Sequence, residues 1–178
     1  GVITYYKSIN EKEASRLAGE YLQSLDYLYQ NNEEAKVKFE ELALNNNSIY
    51  SVLANLNLAS ISSDKGDLDA ALNFIEKSLS GLSSKDPLYR FAYFNGTLMI
   101  LNMDKNKALE DRVETISSFG GYWVMLSLEL KAYMLMQKNN LKEALEVLER
   151  IYNEERSSQG SKFRAKEMID AIKISGKI

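Results

Sequence analysis

Residues 48–79 read SIYSVLANLNLASISSDKGDLDAALNFIEKSL, two apolar-periodic segments separated by Lys65-Gly66-Asp67. Ser48 precedes the first segment and Asp67 the second, and both are residue types whose side-chain oxygens accept the free N–H groups of a first helical turn. Gly66 stands where a left-handed residue closes one helix before the next begins. The stretch is predicted as a helical hairpin, and a small residue on each arm, Ala59 and Ala71, lets the two axes approach closely.

The same arrangement recurs along the chain. The segments NNEEAKVKFEEL, KGDLDAALNFIEKSL, MDKNKALEDRVETI and KNNLKEALEVLERI align so that Ala35, Ala71, Ala108 and Ala144 follow one another at intervals of 36, 37 and 36 residues. Twelve residues before each alanine stand Gln23, Ala59, Gly96 and Ala132, three of them small. Gly96 lies inside the apolar run FAYFNGTLMIL with no turn chemistry around it, so it reads as the small contact of the third hairpin, opposite Ala108. With one proline and no strand alternation, helices are predicted at about 10–30, 32–44, 48–65, 67–80, 86–103, 105–117, 121–138, 140–154 and 160–174. Asp86-Pro87 supplies a further N-cap with proline at the first helical position, Asn139 a second left-handed closer, and Gly120-Gly121 a turn.

Composition narrows the chemistry. In 178 residues, 45% apolar and 26% charged content suits a folded soluble domain, and the whole chain is expected as one domain, 1–178. Histidine and cysteine are both absent, which removes thiol nucleophiles, the usual zinc sites and histidine acid–base pairs. Neither GxxxxGK[ST] nor GxGxxG occurs, and the pairs Glu33-Glu34 and Glu40-Glu41 read as solvated helix faces rather than acid–base dyads. No catalytic residue, metal or cofactor is expected. A net charge of −3 gives no polyanion signal; Lys162, Arg164, Lys166, Lys173 and Lys177, set among Glu167 and Asp170, read as the solvated face of a last helix, so no nucleic-acid partner is expected.

From Val52 to Ser83 the chain resembles a tetratricopeptide repeat, with Leu58-Ala59, Gly66-Asp67, Ala71, Ile75 and Ser78 at the repeat's usual positions. Asn55 and Ser62 stand where that repeat has large aromatic residues, Pro87 comes late, and the period exceeds the usual 34. The fold expected is all-α: a tetratricopeptide-like solenoid of about four helical hairpins, closed by a C-terminal capping helix and tail over 160–178. More narrowly, residues 48–79 and GGYWVMLSLELKAYMLMQKNNLKEALEVLERI, 120–151, are similar to the YfgM-like family of ancillary Sec-translocon subunits. The alphaproteobacterial, rickettsial type is the version resembled, through Gly121, Tyr122 and Trp123.

That resemblance implies a periplasmic domain on the inner membrane, held by an N-terminal anchor preceding Gly1, with translocon subunits, envelope chaperones and client chains as partners. Residues 1–7, GVITYYK, read either as the trailing end of such an anchor or as a first helical turn packing its tyrosines. A soluble cytoplasmic scaffold or chaperone adaptor is the alternative, and an enzyme using carboxylates or lysines alone the third class. The partner-binding face expected on the first helices of the pairs comprises Asn57, Arg90, Tyr93, Thr97, Glu129, Tyr133 and Gln137, beside Leu53, Leu56, Ser60, Phe94 and Leu130. The aromatic members read equally as core between repeats. Leu56 and Ser60 replace the polar or basic groups of a carboxylate clamp, which argues against capture of a peptide's C-terminus. Tyr21, Tyr27 and Tyr29 read as the cap of the first hairpin, with a patch for a partner helix or second copy as the other reading.

Overall fold

The computed structural model describes the backbone of residues 2–45, 48–103 and 109–176, and the side chains of these apart from 2–7, 9 and 32. The expectations placed on the side chains of residues 1–7, on Ala108 and on Lys177 lie outside the described residues. Within them the chain is all-α: α1 Val2–Gln30, α2 Asn32–Ala43, α3 Ile49–Asp64, α4 Leu68–Leu79, α5 Pro87–Asn102, α6 Leu109–Ser118, α7 Tyr122–Gln137, α8 Leu141–Asn153 and α9 Gln159–Ile174. The breakers sit where the sequence puts them, and α1 alone departs widely from its expected bounds, beginning near the chain's start rather than near residue 10.

Local chemistry explains the boundaries. Ser48 Oγ accepts the Ser51 N–H at 3.0 Å and Asp67 Oδ1 the Ala70 N–H at 3.0 Å, while Asp86 Oδ1 accepts from Leu88 N at 2.8 Å ahead of Pro87. Two caps that the sequence reading passed over complete the set: Asn31 Oδ1 accepts from Glu33 N at 3.1 Å, and Ser158 Oγ from Ser161 N at 3.1 Å. Gly66 (φ 79°) and Asn139 (φ 57°) are both left-handed. At the first, Asp67 N–H reaches Ser62 O at 2.9 Å and Gly66 N–H reaches Ser63 O at 2.9 Å; at the second, Asn140 N–H reaches Leu135 O at 2.8 Å and Asn139 N–H reaches Met136 O at 3.0 Å. The α3–α4 and α7–α8 turns are thus one motif used twice, with asparagine tolerating at the second what glycine supplies at the first.

The chain divides into two compact units, Gly1–Met99 and Ile100–Ile178. In the first, α1 packs on α2, α2 on α3 and α3 on α4, with α1 also reaching α3. Its core gathers Leu17 of α1, Ala35, Phe39 and Leu42 of α2, and Ala54, Leu58 and Ile61 of α3. A second cluster joins Val52 and Leu56 to Leu79 and to Ala92 of α5. In the second unit α6 packs on α7, α7 on α8 and α8 on α9, with α7 also reaching α9. Its core holds Ala132, Ala144, Leu148, Ile151, Ala165, Ile169 and Ile172.

Small residues are buried within these packings. Ala35, Ala59, Ala71, Ala132 and Ala144 have no exposed surface, and Gly96 is buried within α5. Gln23 is exposed, whereas Ser24, one residue on, is buried with its hydroxyl donating to Glu20 O at 2.7 Å. The 12-residue offset between arms therefore slips by one in the first hairpin. Tyr21 packs against the rings of Phe39 and Tyr50 at 6.0 and 5.9 Å, and Tyr27 lies half-buried beneath the Lys38 ammonium, so both cap as expected. Tyr29, 93% exposed, does not.

Candidate interaction surfaces

The residues expected to face a partner meet different fates. Thr97 is a correction: it is fully buried, its hydroxyl donating to Tyr93 O at 2.7 Å, and so offers nothing to a ligand. The spacing of Arg90, Tyr93 and Thr97 places them on one helical stripe, but α5 packs the far end of that stripe inward. Leu56 and Leu130, expected beside that face, are buried as well. Tyr93 stacks on Tyr89, centroids 5.8 Å apart, and packs against the cluster of Val52, Leu56, Leu79 and Ala92. Arg90 Nε donates to Ser84 O at 3.3 Å. Asn57 uses its Nδ2 on Leu53 O at 2.9 Å and on Tyr21 Oη at 3.1 Å, which ties α3 to α1.

On α7, Glu129, Tyr133 and Gln137 lie one turn apart on a single stripe, as expected of positions i, i+4 and i+8. The terminal helix has already engaged the first of them. Arg164 of α9 grips Glu129 through two parallel bonds, Nε to Oε2 at 2.7 Å and Nη2 to Oε1 at 2.9 Å. The hydrogen bond that Arg164 donates to Glu129 raises the Arg164 pKa above its ordinary value. Tyr133, 41% exposed, and Gln137 remain at the surface.

Arg164→Ala should destabilise the second unit by about 1 kcal/mol, since the fork is well aligned but its arginine is half-exposed. Arg164→Lys should recover less than half of that loss, because an ammonium cannot bond both carboxylate oxygens in plane. Urea unfolding followed by the fluorescence of Trp123, the sequence's single tryptophan, reads both. Two further cations of that stripe are matched, Lys166 with Asp170 at 2.5 Å and Lys173 with Glu149 at 4.0 Å, which is how a solvated helix face behaves.

Two surface clefts lie away from that stripe, and sequence reasoning named neither. Each sits between successive second helices with a first helix as its floor. In the second unit a cleft of about 560 Å³ is lined by Val113 and Ser117 of α6, Leu128 and Leu135 of α7, and Glu143 of α8. In the first a cleft of about 400 Å³ is lined by Ala43 and Leu44 beside α2's end, Asn55 and Leu58 of α3, and Phe74 and Lys77 of α4. The two units also repeat an ion pair between the C-cap lysine of a first helix and the opening turn of the preceding second helix. Lys138 meets Glu110 at 3.0 Å, and Lys65 meets Glu33, whose carboxyl it holds below the usual range through that hydrogen bond.

Comparison with known families agrees with this geometry. The tetratricopeptide repeat family model matches residues 52–80, which span α3, the Gly66 turn and α4. No curated protein and no solved structure matches the chain. The chain thus carries a tetratricopeptide repeat within an all-α, tetratricopeptide-like fold. Such a repeat marks a protein–protein interaction module, a class typically without catalysis, whose working surfaces are the helix faces and clefts its stacking leaves open.

Proposed function

We propose that this chain is a non-catalytic polypeptide-binding module serving as the periplasmic domain of an inner-membrane-anchored protein, where it attends the Sec translocon and envelope chaperones. The observation that carries the binding role is the tetratricopeptide repeat at 52–80, a helical pair in which Ala59 and Ala71 are fully buried. The envelope assignment rests on the similarity of residues 48–79 and 120–151 to the YfgM-like family and on the order of the hairpins. Its anchor would precede Gly1; among the described residues no helix is long and apolar enough to cross a membrane.

A surface of half-exposed aromatics, leucines and scattered charges suits weak binding of several extended or amphipathic segments, with aromatic anchors contributing most of the affinity. The test is in-cell photo-crosslinking of the full-length, natively anchored protein from a probe at Tyr133, followed by mass spectrometry. Recovery of translocon subunits or periplasmic chaperones is expected. Capture of cytosolic proteins alone would replace this reading with that of a cytoplasmic scaffold.

A further inference from the structure

Asn55 sits on the floor of the α2–α4 cleft with 6% of its surface exposed. Its Nδ2 donates to Ser51 O at 2.9 Å, while its Oδ1 is buried without a hydrogen-bond partner among the described residues. Buried side-chain oxygens in native proteins are rarely left so, because the lost hydration is not recovered. Around it Ala43, Leu44, Leu58 and Phe74 give the cleft an apolar wall, Glu40 and Ser80 also line it, and the Lys77 ammonium already rests 5.1 Å above the Phe74 ring. Asn55 Oδ1 is the buried side-chain atom left without a partner among the described residues, so the site asks for a ligand with a broad apolar face and a hydrogen-bond donor.

Among side chains, the indole of tryptophan has that inventory: an extended ring and a single N–H that donates only. A cleft of about 400 Å³ falls within the size range of side-chain and small-ligand pockets. We propose that the α2–α4 cleft is a docking site for a tryptophan anchor of a partner polypeptide, with the indole N–H bonded to Asn55 Oδ1. The ring lies against Leu58 and Phe74, and Leu44, largely exposed before binding, closes over its edge. Oδ1 is shielded from solvent, so the entering ring reaches it with the side-chain adjustment that binding commonly brings. This inference rests on the reading of the chain as a polypeptide-binding module and assigns that module a specific pocket.

The experiment is an NMR titration of the isotope-labelled 178-residue chain with 3-methylindole, which is the tryptophan side chain, and with its isomer 1-methylindole, which has the same apolar area and no N–H. The expected result is that 3-methylindole shifts the signals of Leu44, Asn55, Leu58 and Phe74, and binds about tenfold more tightly than 1-methylindole. In Asn55→Leu the preference should fall to within about twofold while apolar binding persists. Equal affinity of the two isomers for the native chain, or shifts confined to residues outside the cleft, would overturn the proposal without need of any variant. Isomer discrimination alongside cross-linking that captures no polypeptide would sink the module reading and leave the pocket. Captured partners without discrimination would sink the pocket alone.

Discussion

Phe39→Ala should destabilise the first unit by about 3–5 kcal/mol, the range for emptying a closed aromatic site. The ring has no exposed surface and is held in one cluster with Leu17, Leu42, Leu58 and Ile61, its centroid 6.0 Å from that of Tyr21 at a tilt of 58°. Two neighbours in that cluster, Ala35 and Ala54, have no side-chain length with which to fill the void. Relaxation must therefore come from movement of α2 toward α3. Since a domain's whole stability is on the order of 5–15 kcal/mol, the loss should move the urea midpoint of helical circular dichroism far below that of the native chain. A loss under about 1 kcal/mol would show that α1, α2 and α3 do not enclose the ring.

Phe39 also illustrates why the fold was legible in the sequence. It stands four residues after Ala35, with Lys36 and Lys38 among the positions between, so its inward face follows from helical period. Gly66, Asn139, Asp67 and Ser48 carry their own local chemistry, and that is why the hairpin turns fall where expected. The start of α1 was masked by local signals: Ser8 is an N-cap type three residues before Glu11, and VITYYKSIN contains β-branched and aromatic residues that weaken a helical reading. The slip from Gln23 to Ser24 goes with a shorter connection, because Asn31 alone joins α1 to α2 whereas Lys65, Gly66 and Asp67 separate α3 from α4.

The candidate surfaces were less legible because they depend on contacts between elements distant in sequence. Helical period places Arg90, Tyr93 and Thr97 on one stripe, but it cannot say how far a neighbouring helix covers that stripe; burial of Thr97 is such a tertiary result. The Arg164–Glu129 fork joins residues 35 apart, and no local pattern announces it. The α2–α4 cleft did leave a trace: Asn55 replaces a large aromatic residue expected of the repeat, and a small polar side chain at such a place leaves both volume and an oxygen to satisfy.

Ala144→Leu tests the opposite limit of the packing, where the structure has no space to give. Ala132 of α7, Ala144 of α8 and Ala165 of α9 are all fully buried within one cluster that three helices share. Leucine at 144 adds three carbon atoms to a place bounded by Leu148 on its own helix and by the neighbouring helices. Helix propensity cannot offset this, since alanine is already the best helix former and leucine is slightly worse. The axes must part or the side chain must leave its rotamer wells, and the expected cost is about 2–3 kcal/mol, near the upper end of the overpacking range. The fluorescence of Trp123, in the same unit, should then show a lower urea midpoint. Ala144→Ser, which adds one oxygen and little length, separates crowding from polarity: buried hydroxyls can bond a carbonyl one turn back, as Ser24 does to Glu20, so serine should cost about half as much as leucine or less. If serine proves the worse of the two, the α7–α8–α9 junction has room for a leucine, and close approach through alanine cannot be what sets the spacing of these helices.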